Sequence, residues 1–247
     1  MKTTLALALS IVSLNLFAGT EVGAEVYSEQ YQKIQTIELY EVVETDSGEK
    51  QKLIQKDHLP SEIEVLMKEA RKNREKGLGE VIMVTKQLIA LGKEIYKIIE
   101  AGKPVVTVDS TPVSVLPRDE KGDYVDAMHL SNWKMPKVKK FRVEAKNYLG
   151  MTPVSFEFMM IFTPGGKYNG KGAYLTGAQI KPTTVDVSWG YTVDATFKVQ
   201  SIVNQGSMES PVAGAVLMID YTIKTVLKES KNSRTFFVNG NGQAQAY

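Results

Sequence analysis

From residue 185 to residue 199 (VDVSWGYTVDATFKV), apolar and polar residues alternate without a break. Val185, Val187, Trp189, Tyr191, Val193, Ala195, Phe197 and Val199 take the odd positions. Asp186, Ser188, Gly190, Thr192, Asp194, Thr196 and Lys198 take the even ones. Successive side chains of a strand point to opposite faces, so the pattern predicts a single strand with one dry and one wet face. At about 3.3 Å per residue it would reach roughly 50 Å. Residues 212–228 alternate in the same way, with Ala215, Leu217, Ile219, Tyr221, Ile223 and Leu227 on one face, after a polar loop at 204–211. The two predict a long hairpin. Matching unlike charges across its wet face sets Asp194 opposite Lys224 and Lys198 opposite Asp220, with Phe197 beside Tyr221 and Val199 beside Ile219.

Upstream the period changes. Ser61-Glu62-Ile63-Glu64 has the form of a capping box, and Ile63, Leu66, Met67 and Ala70 then share one helical face to about Lys76. In residues 80–101, Val81, Val84, Leu88, Leu91, Ile95 and Ile98 fall at helical spacing, followed by Gly102 and Pro104, and predict a second helix. Residues 33–44 and 52–55 read as strands about the turn Asp46-Ser47-Gly48. After Pro104 the strand signals are 105–108, 113–116, 138–146, 154–162, 173–181, 185–203, 212–228 and 234–238. Turn signals stand at 119–122, 147–150, 164–166, 204–206 and 231–233. Strands joined by short turns pair antiparallel. The expected fold class is therefore α+β and β-dominated: an antiparallel sandwich-like sheet core with an N-terminal helical pair packed on or beside it. Residues 25–103 would hold the first strand hairpin and both helices, as a layer of their own or as one domain with the β region at 104–239. Residues 240–247 read as a loose polar tail.

The N-terminus adds a destination. Lys2 and the apolar run 5–17 (LALALSIVSLNLF), followed by small residues at Ala18 and Ala24, form a secretory signal peptide over residues 1–24, cleaved after one of those alanines. The run is shorter than the roughly 20 residues a spanning helix needs, and no later stretch is long and apolar enough to span. The expected location is periplasmic or extracellular. The 247 residues carry 30 basic and 28 acidic side chains, a net charge of +2, so no global field points to nucleic acid. The one dense basic stretch is Trp133 to Lys146 (WKMPKVKKFRVEAK), which reads as an edge strand guarded by lysine.

Candidate chemistry is thin. Cysteine is absent and only His58 and His129 are present, which removes thiol nucleophiles and multi-histidine metal sites. No nucleophile elbow, zincin motif or phosphate-binding glycine loop occurs. No catalytic residue, cofactor or metal site is therefore assigned. Asp119, Glu120, Asp123 and Asp126 surround Gly122 but lack calcium-loop spacing, and a turn accounts for them. The best ligand-binding candidate is the glycine-rich stretch 163–172 (TPGGKYNGKG), where Lys167, Tyr168 and Lys171, with Tyr174 just beyond, could grip a carbohydrate, peptide or envelope component.

The leading expectation is an exported, non-enzymatic protein acting by surface recognition: adhesin-like, envelope-structural or ligand-binding. A carboxylate-dependent hydrolase acting on carbohydrate or envelope material is the alternative, since paired carboxylates need neither His nor Cys. A membrane-inserting toxin-like protein stands third.

Overall fold

The computed structural model describes residues 29–46, 48–54, 81–105 and 112–247. The stretches read as a signal peptide, 1–24, and as a helix, 61–76, lie outside these residues. The chain opens with a short helix α1 (Glu29–Gln32) and continues as β1 (Ile34–Thr45), β2 (Gly48–Ile54), β3 (Val81–Val84), β4 (Leu88–Leu91), β5 (Ile95–Glu100), β6 (Lys103–Pro104) and β7 (Val113–Pro117). Then follow β8 (Lys137–Asn147), β9 (Val154–Tyr168), β10 (Lys171–Val187), β11 (Thr192–Asn204), β12 (Ala213–Lys224), β13 (Glu229–Asn239) and β14 (Ala244–Ala246). An eight-stranded sheet, order β2-β1-β8-β9-β10-β7-β4-β3, faces a six-stranded sheet, order β14-β13-β12-β11-β5-β6. Every pairing between these strands is antiparallel.

One hydrophobic core fills the space between the sheets. Its centre is aromatic. Phe141 on β8 meets Phe236 on β13 with ring centroids 4.9 Å apart, and Phe156 on β9 meets Tyr221 on β12 edge-on at 5.3 Å. These rings are almost wholly buried, and truncating one phenylalanine to alanine costs about 3–5 kcal/mol.

The long alternating stretch is not one strand. It runs down β10 in the first sheet to Val187, turns at residues 188–191, and enters β11 in the second sheet. Gly190 makes the corner with φ of +83°. The alternation passes through the corner because both sheets face the same core, so Val193, Phe197 and Val199 are buried in it and Val185 and Val187 pack against it. Trp189 breaks the rule: an odd position expected on the dry face stands at the corner, 60% exposed.

The hairpin of β11 and β12 exists, two residues out of the charge-matched register. Thr192 faces Lys224, Thr196 faces Asp220 and Phe197 faces Ile219. A shift of two keeps every side chain on its face. Asp194 still reaches Lys224 diagonally, at 3.6 Å, so opposite placement was not needed to pair the charges.

The helix read over residues 80–101 is corrected: this stretch is β3, β4 and β5. Its Val, Ile and Thr content favours strands. Gly92, at φ of +126°, carries the chain from β4 in one sheet to β5 in the other, a bend no helix interior contains. Of the stripe that looked helical, Val84, Leu88 and Ile98 are buried on successive short strands, whereas Ile95 stands 54% exposed. The N-terminal helical pair is thus not present as expected, and the described part is β-dominated. The basic stretch is corrected too. Its strand, β8, lies inside the sheet between β1 and β9, and its charges are neutralised across strands, Lys139 by Glu41, Lys140 by Glu49, Arg142 by Glu157 and Lys146 by Glu38. The polar tail is ordered in part, since β14 pairs with β13 and Asn239 is buried.

Candidate functional site

The glycine-rich stretch chosen as ligand loop is mostly strand. Pro164, Gly165 and Gly166 are buried inside β9, where a side chain on Gly166 would strike the Trp133 indole at 2.4 Å. The turn itself is Asn169-Gly170, both at positive φ, the residue pair that two-residue hairpins select. Lys167 and Lys171 are exposed beside it. Tyr168 is half-buried against the core, and Tyr174 is only 4% exposed, with burial pushing its phenol above the ordinary value. Two lysines are thus left for solvent, and the tyrosines belong to the core and its margin.

A polar groove of about 630 Å³ lies on the outer face of the eight-stranded sheet, walled by residues of β2, β8, β9 and β10. Arg142 Nε donates to Glu157 at 2.7 Å, and Lys140 Nζ to Glu49 at 2.7 Å. The lysine contact holds the Glu49 carboxyl below its usual range. Glu144 and Asp186 both lie opposite Ser155, on strands either side of it. Two strand spacings separate them, roughly 10 Å between backbones.

The third feature is at one end of the sandwich, which we term the proximal end because α1 sits there. Asn147 Nδ2 and the Tyr191 hydroxyl both donate to the Tyr31 carbonyl, and the Tyr31 hydroxyl donates to the Trp189 carbonyl. The Ser188 N–H donates to Pro153 O at 2.8 Å. These contacts set the β8–β9 loop against the β10–β11 corner. The β12–β13 turn is alongside, because Thr192 at the start of β11 pairs with Lys224 at the end of β12. Together these loops carry Tyr148, Leu149, Met151, Trp189, Val226 and Leu227, with exposures from 44% for Leu149 to 83% for Val226. We call this set the crown.

Two of the crown loops have twins at the opposite, distal end. Residues 147–151, 119–123 and 239–243 close identically. The side-chain oxygen of the first residue accepts the N–H groups of the third and fifth: Asn147 from Leu149 and Met151, Asp119 from Lys121 and Asp123, Asn239 from Asn241 and Gln243, all between 2.9 and 3.1 Å. The carbonyl of the first residue accepts from a glycine in fourth place, Gly150, Gly122 or Gly242, each at positive φ. At the proximal end this turn displays Tyr148 and Leu149; at the distal end it displays Glu120-Lys121 and Gly240-Asn241. Likewise Thr225 and Thr85 each bond across a two-residue turn. The Thr225 N–H donates to Lys228 O at 2.8 Å and its hydroxyl accepts from Lys228 N at 3.0 Å, and Thr85 repeats both bonds to Leu88 at the same distances. One turn presents Val226-Leu227 and the other Lys86-Gln87. The turn geometry therefore does not require apolar residues.

The crown is not apparent from the sequence because Tyr148 and Leu149 fall in a turn signal, Trp189, Val226 and Leu227 in strand patterns, and Met151 between the two. The available clue was Val and Leu where turn chemistry favours Asn, Gly or a charge. Other exposed apolar side chains include Met128 and Met135 in the irregular stretch between β7 and β8, Met208 in the β11–β12 loop at the distal end, and Ile95 and Val138 on strands. Among the described residues, no group of three or more His, Asp or Glu could hold a metal ion, and no helix is long and apolar enough to cross a membrane. No protein-family model, curated protein or solved structure matches the chain.

Proposed function

We propose that this is an exported, non-enzymatic β protein that acts by surface recognition, and that the crown is its contact surface. The observation that carries the reading is the pairing of like turns: where one backbone geometry occurs at both ends, the proximal copy shows Tyr148-Leu149 or Val226-Leu227 and the distal copies show polar residues and glycine. Large apolar side chains exposed together are costly in water and mark contact sites. The signal-peptide pattern supports placing that contact in the cell envelope or beyond it.

A photoreactive amino acid in place of Trp189, in cells that make the protein, tests this. Cross-links to an envelope component from position 189, absent when the same group replaces Asn169 at the distal end, are the expected result. Equal cross-linking from both positions, or none from 189, removes the crown as the contact surface.

The hydrolase reading retains one specific support, the row Glu144–Ser155–Asp186 across the polar groove. Carboxyl groups of inverting glycosidases stand about 6.5–9.5 Å apart, and a backbone separation near 10 Å is compatible with that. Reducing-sugar release from envelope polysaccharides that disappears in both Glu144→Gln and Asp186→Asn would establish it. Release unchanged in both variants would dismiss this pair.

A further inference from the structure

We propose that the crown contacts a lipid surface, its apolar side chains entering the boundary between headgroups and acyl chains. This rests on the reading of the crown as the contact surface and names its partner.

Residue chemistry comes first. Trp189 and Tyr148 are the amphipathic aromatic types that favour a membrane–water interface, and Leu149, Met151, Val226 and Leu227 are apolar enough to enter just below it. Charge comes second. Among residues 148–152, 188–191 and 225–228, Lys228 is the only charged side chain, and no carboxylate is present to repel anionic headgroups. Three neighbouring acids are paired, Glu29 with Lys33, Asp194 with Lys224 and Glu229 with Lys231, while Asp186 and Glu144 line the polar groove on the outer sheet face.

Form is the third ground. The side chains project from three separate tight turns. A fluid surface closes around separate projections, whereas a folded partner would need three matched pockets. The loops are far shorter than the about 9–11 residues a spanning strand requires, so the contact is peripheral.

The test uses protein purified from cells that make it, carrying Trp133→Phe so that Trp189 is the sole tryptophan, and vesicles of phosphatidylethanolamine and phosphatidylglycerol. Vesicles should shift Trp189 emission to the blue, and brominated lipid should quench it. The turn-swap variant Val226→Lys/Leu227→Gln should lower vesicle partition at least about tenfold, as expected when two aliphatic side chains leave an apolar contact. With a single cation in the loops, salt should weaken binding only slightly. If Trp133→Phe does not fold, the difference between the native chain and Trp189→Phe isolates the same signal.

Three results overturn the inference. The first is no response of Trp189 emission to vesicles; cross-links from position 189 to a protein would then leave the recognition reading standing while removing lipid. Vesicle flotation untouched by the turn swap would place membrane contact elsewhere on the chain. A blue shift that follows protein concentration without vesicles, with dimers in sedimentation, would assign the crown to a second copy.

Discussion

Matching turns close the two ends of the sandwich, and the matched turns display different chemistry. Asn147 and Asn239 are both buried, both end a strand, and each fastens its loop through two N–H bonds to one side-chain oxygen. Thr225 and Thr85 fasten two-residue turns with matching bonds. The distal copies carry Gly240-Asn241, Glu120-Lys121 and Lys86-Gln87; the proximal copies carry Tyr148-Leu149 and Val226-Leu227. Since backbone and hydrogen bonds are held constant, the difference lies in the displayed side chains. Each distal turn is an internal control showing that polar residues satisfy the fold. What the proximal residues satisfy must therefore be sought beyond the turns themselves.

The core that joins the ends should fail in alkali, and the crown should not alter when it does. Burial pushes the phenols of Tyr96 and Tyr221 up to about 12. Because the folded values exceed the unfolded value near 10, the stability these groups contribute is intact below pH 10 and is lost as pH rises towards 12. The loss amounts to roughly 3 kcal/mol for each phenol above that range. Chemical denaturation between pH 9 and 12 should show it equally in the native chain and in the crown turn swap. A different alkaline profile in the swap would mean that the turns brace the core, which would spoil the comparison.

The distal end should be the less forgiving of added bulk. A Cβ on Gly240 would lie 1.9 Å from the Ala173 carbonyl oxygen, so Gly240→Ala must push backbone against backbone. We expect a loss of about 3 kcal/mol or more. Gly150 has open space around its Cβ position but a φ of +76°, so Gly150→Ala should cost only about 1 kcal/mol, from backbone conformation alone. Urea midpoints of the two variants measure the contrast, and comparable losses would contradict it.

Asparagine replacement treats the ends alike. Asn147→Ala and Asn239→Ala each strip two loop N–H groups of their acceptor, at about 1–3 kcal/mol for the buried polar groups exposed or left unpaired. Amide exchange should accelerate at Leu149 and Met151 in the first and at Asn241 and Gln243 in the second. Only the first should also weaken contact through the crown.

These contrasts were only partly legible beforehand. Alternation revealed the sheets, since residues 34–45, 137–147 and 213–224 are strands close to where period and β-branching put them. It could not reveal that residues 185–204 change sheets, because a shared core keeps odd residues inward on both sides of the corner. Residues 81–100 misled for a related reason: short strands interrupted at Thr85 and Gly92 yield buried positions three and four apart, which imitates a helix. The candidate ligand stretch rested on composition, for which the structure supplies a second reason. Glycines at 165 and 166 serve close packing by Trp133 and Lys134, and the turn is the Asn-Gly pair beyond them. The crown required knowing which loops share an end, and that follows from strand order, which the pattern did not supply.

The smallest stability effect is the most decisive for function. Replacing Val226-Leu227 by the Lys-Gln of the Thr85 turn, and Tyr148-Leu149 by the Glu-Lys of the Asp119 turn, keeps both hydrogen-bond frameworks, because the bonds come from backbone atoms and from Thr225 and Asn147. The removed side chains are already largely exposed, so little buried area is lost. Stability should change by no more than about 0.5 kcal/mol, the ordinary range for surface substitutions. The reverse graft, Lys86→Val/Gln87→Leu, should be equally mild and should create no contact, because that turn lacks Trp189 and the Asn147 loop beside it. Thermal melts of both grafts measure the stability. A loss well beyond 0.5 kcal/mol in the first graft alone would show that the crown residues support their own loops, and their exposure would then need no partner.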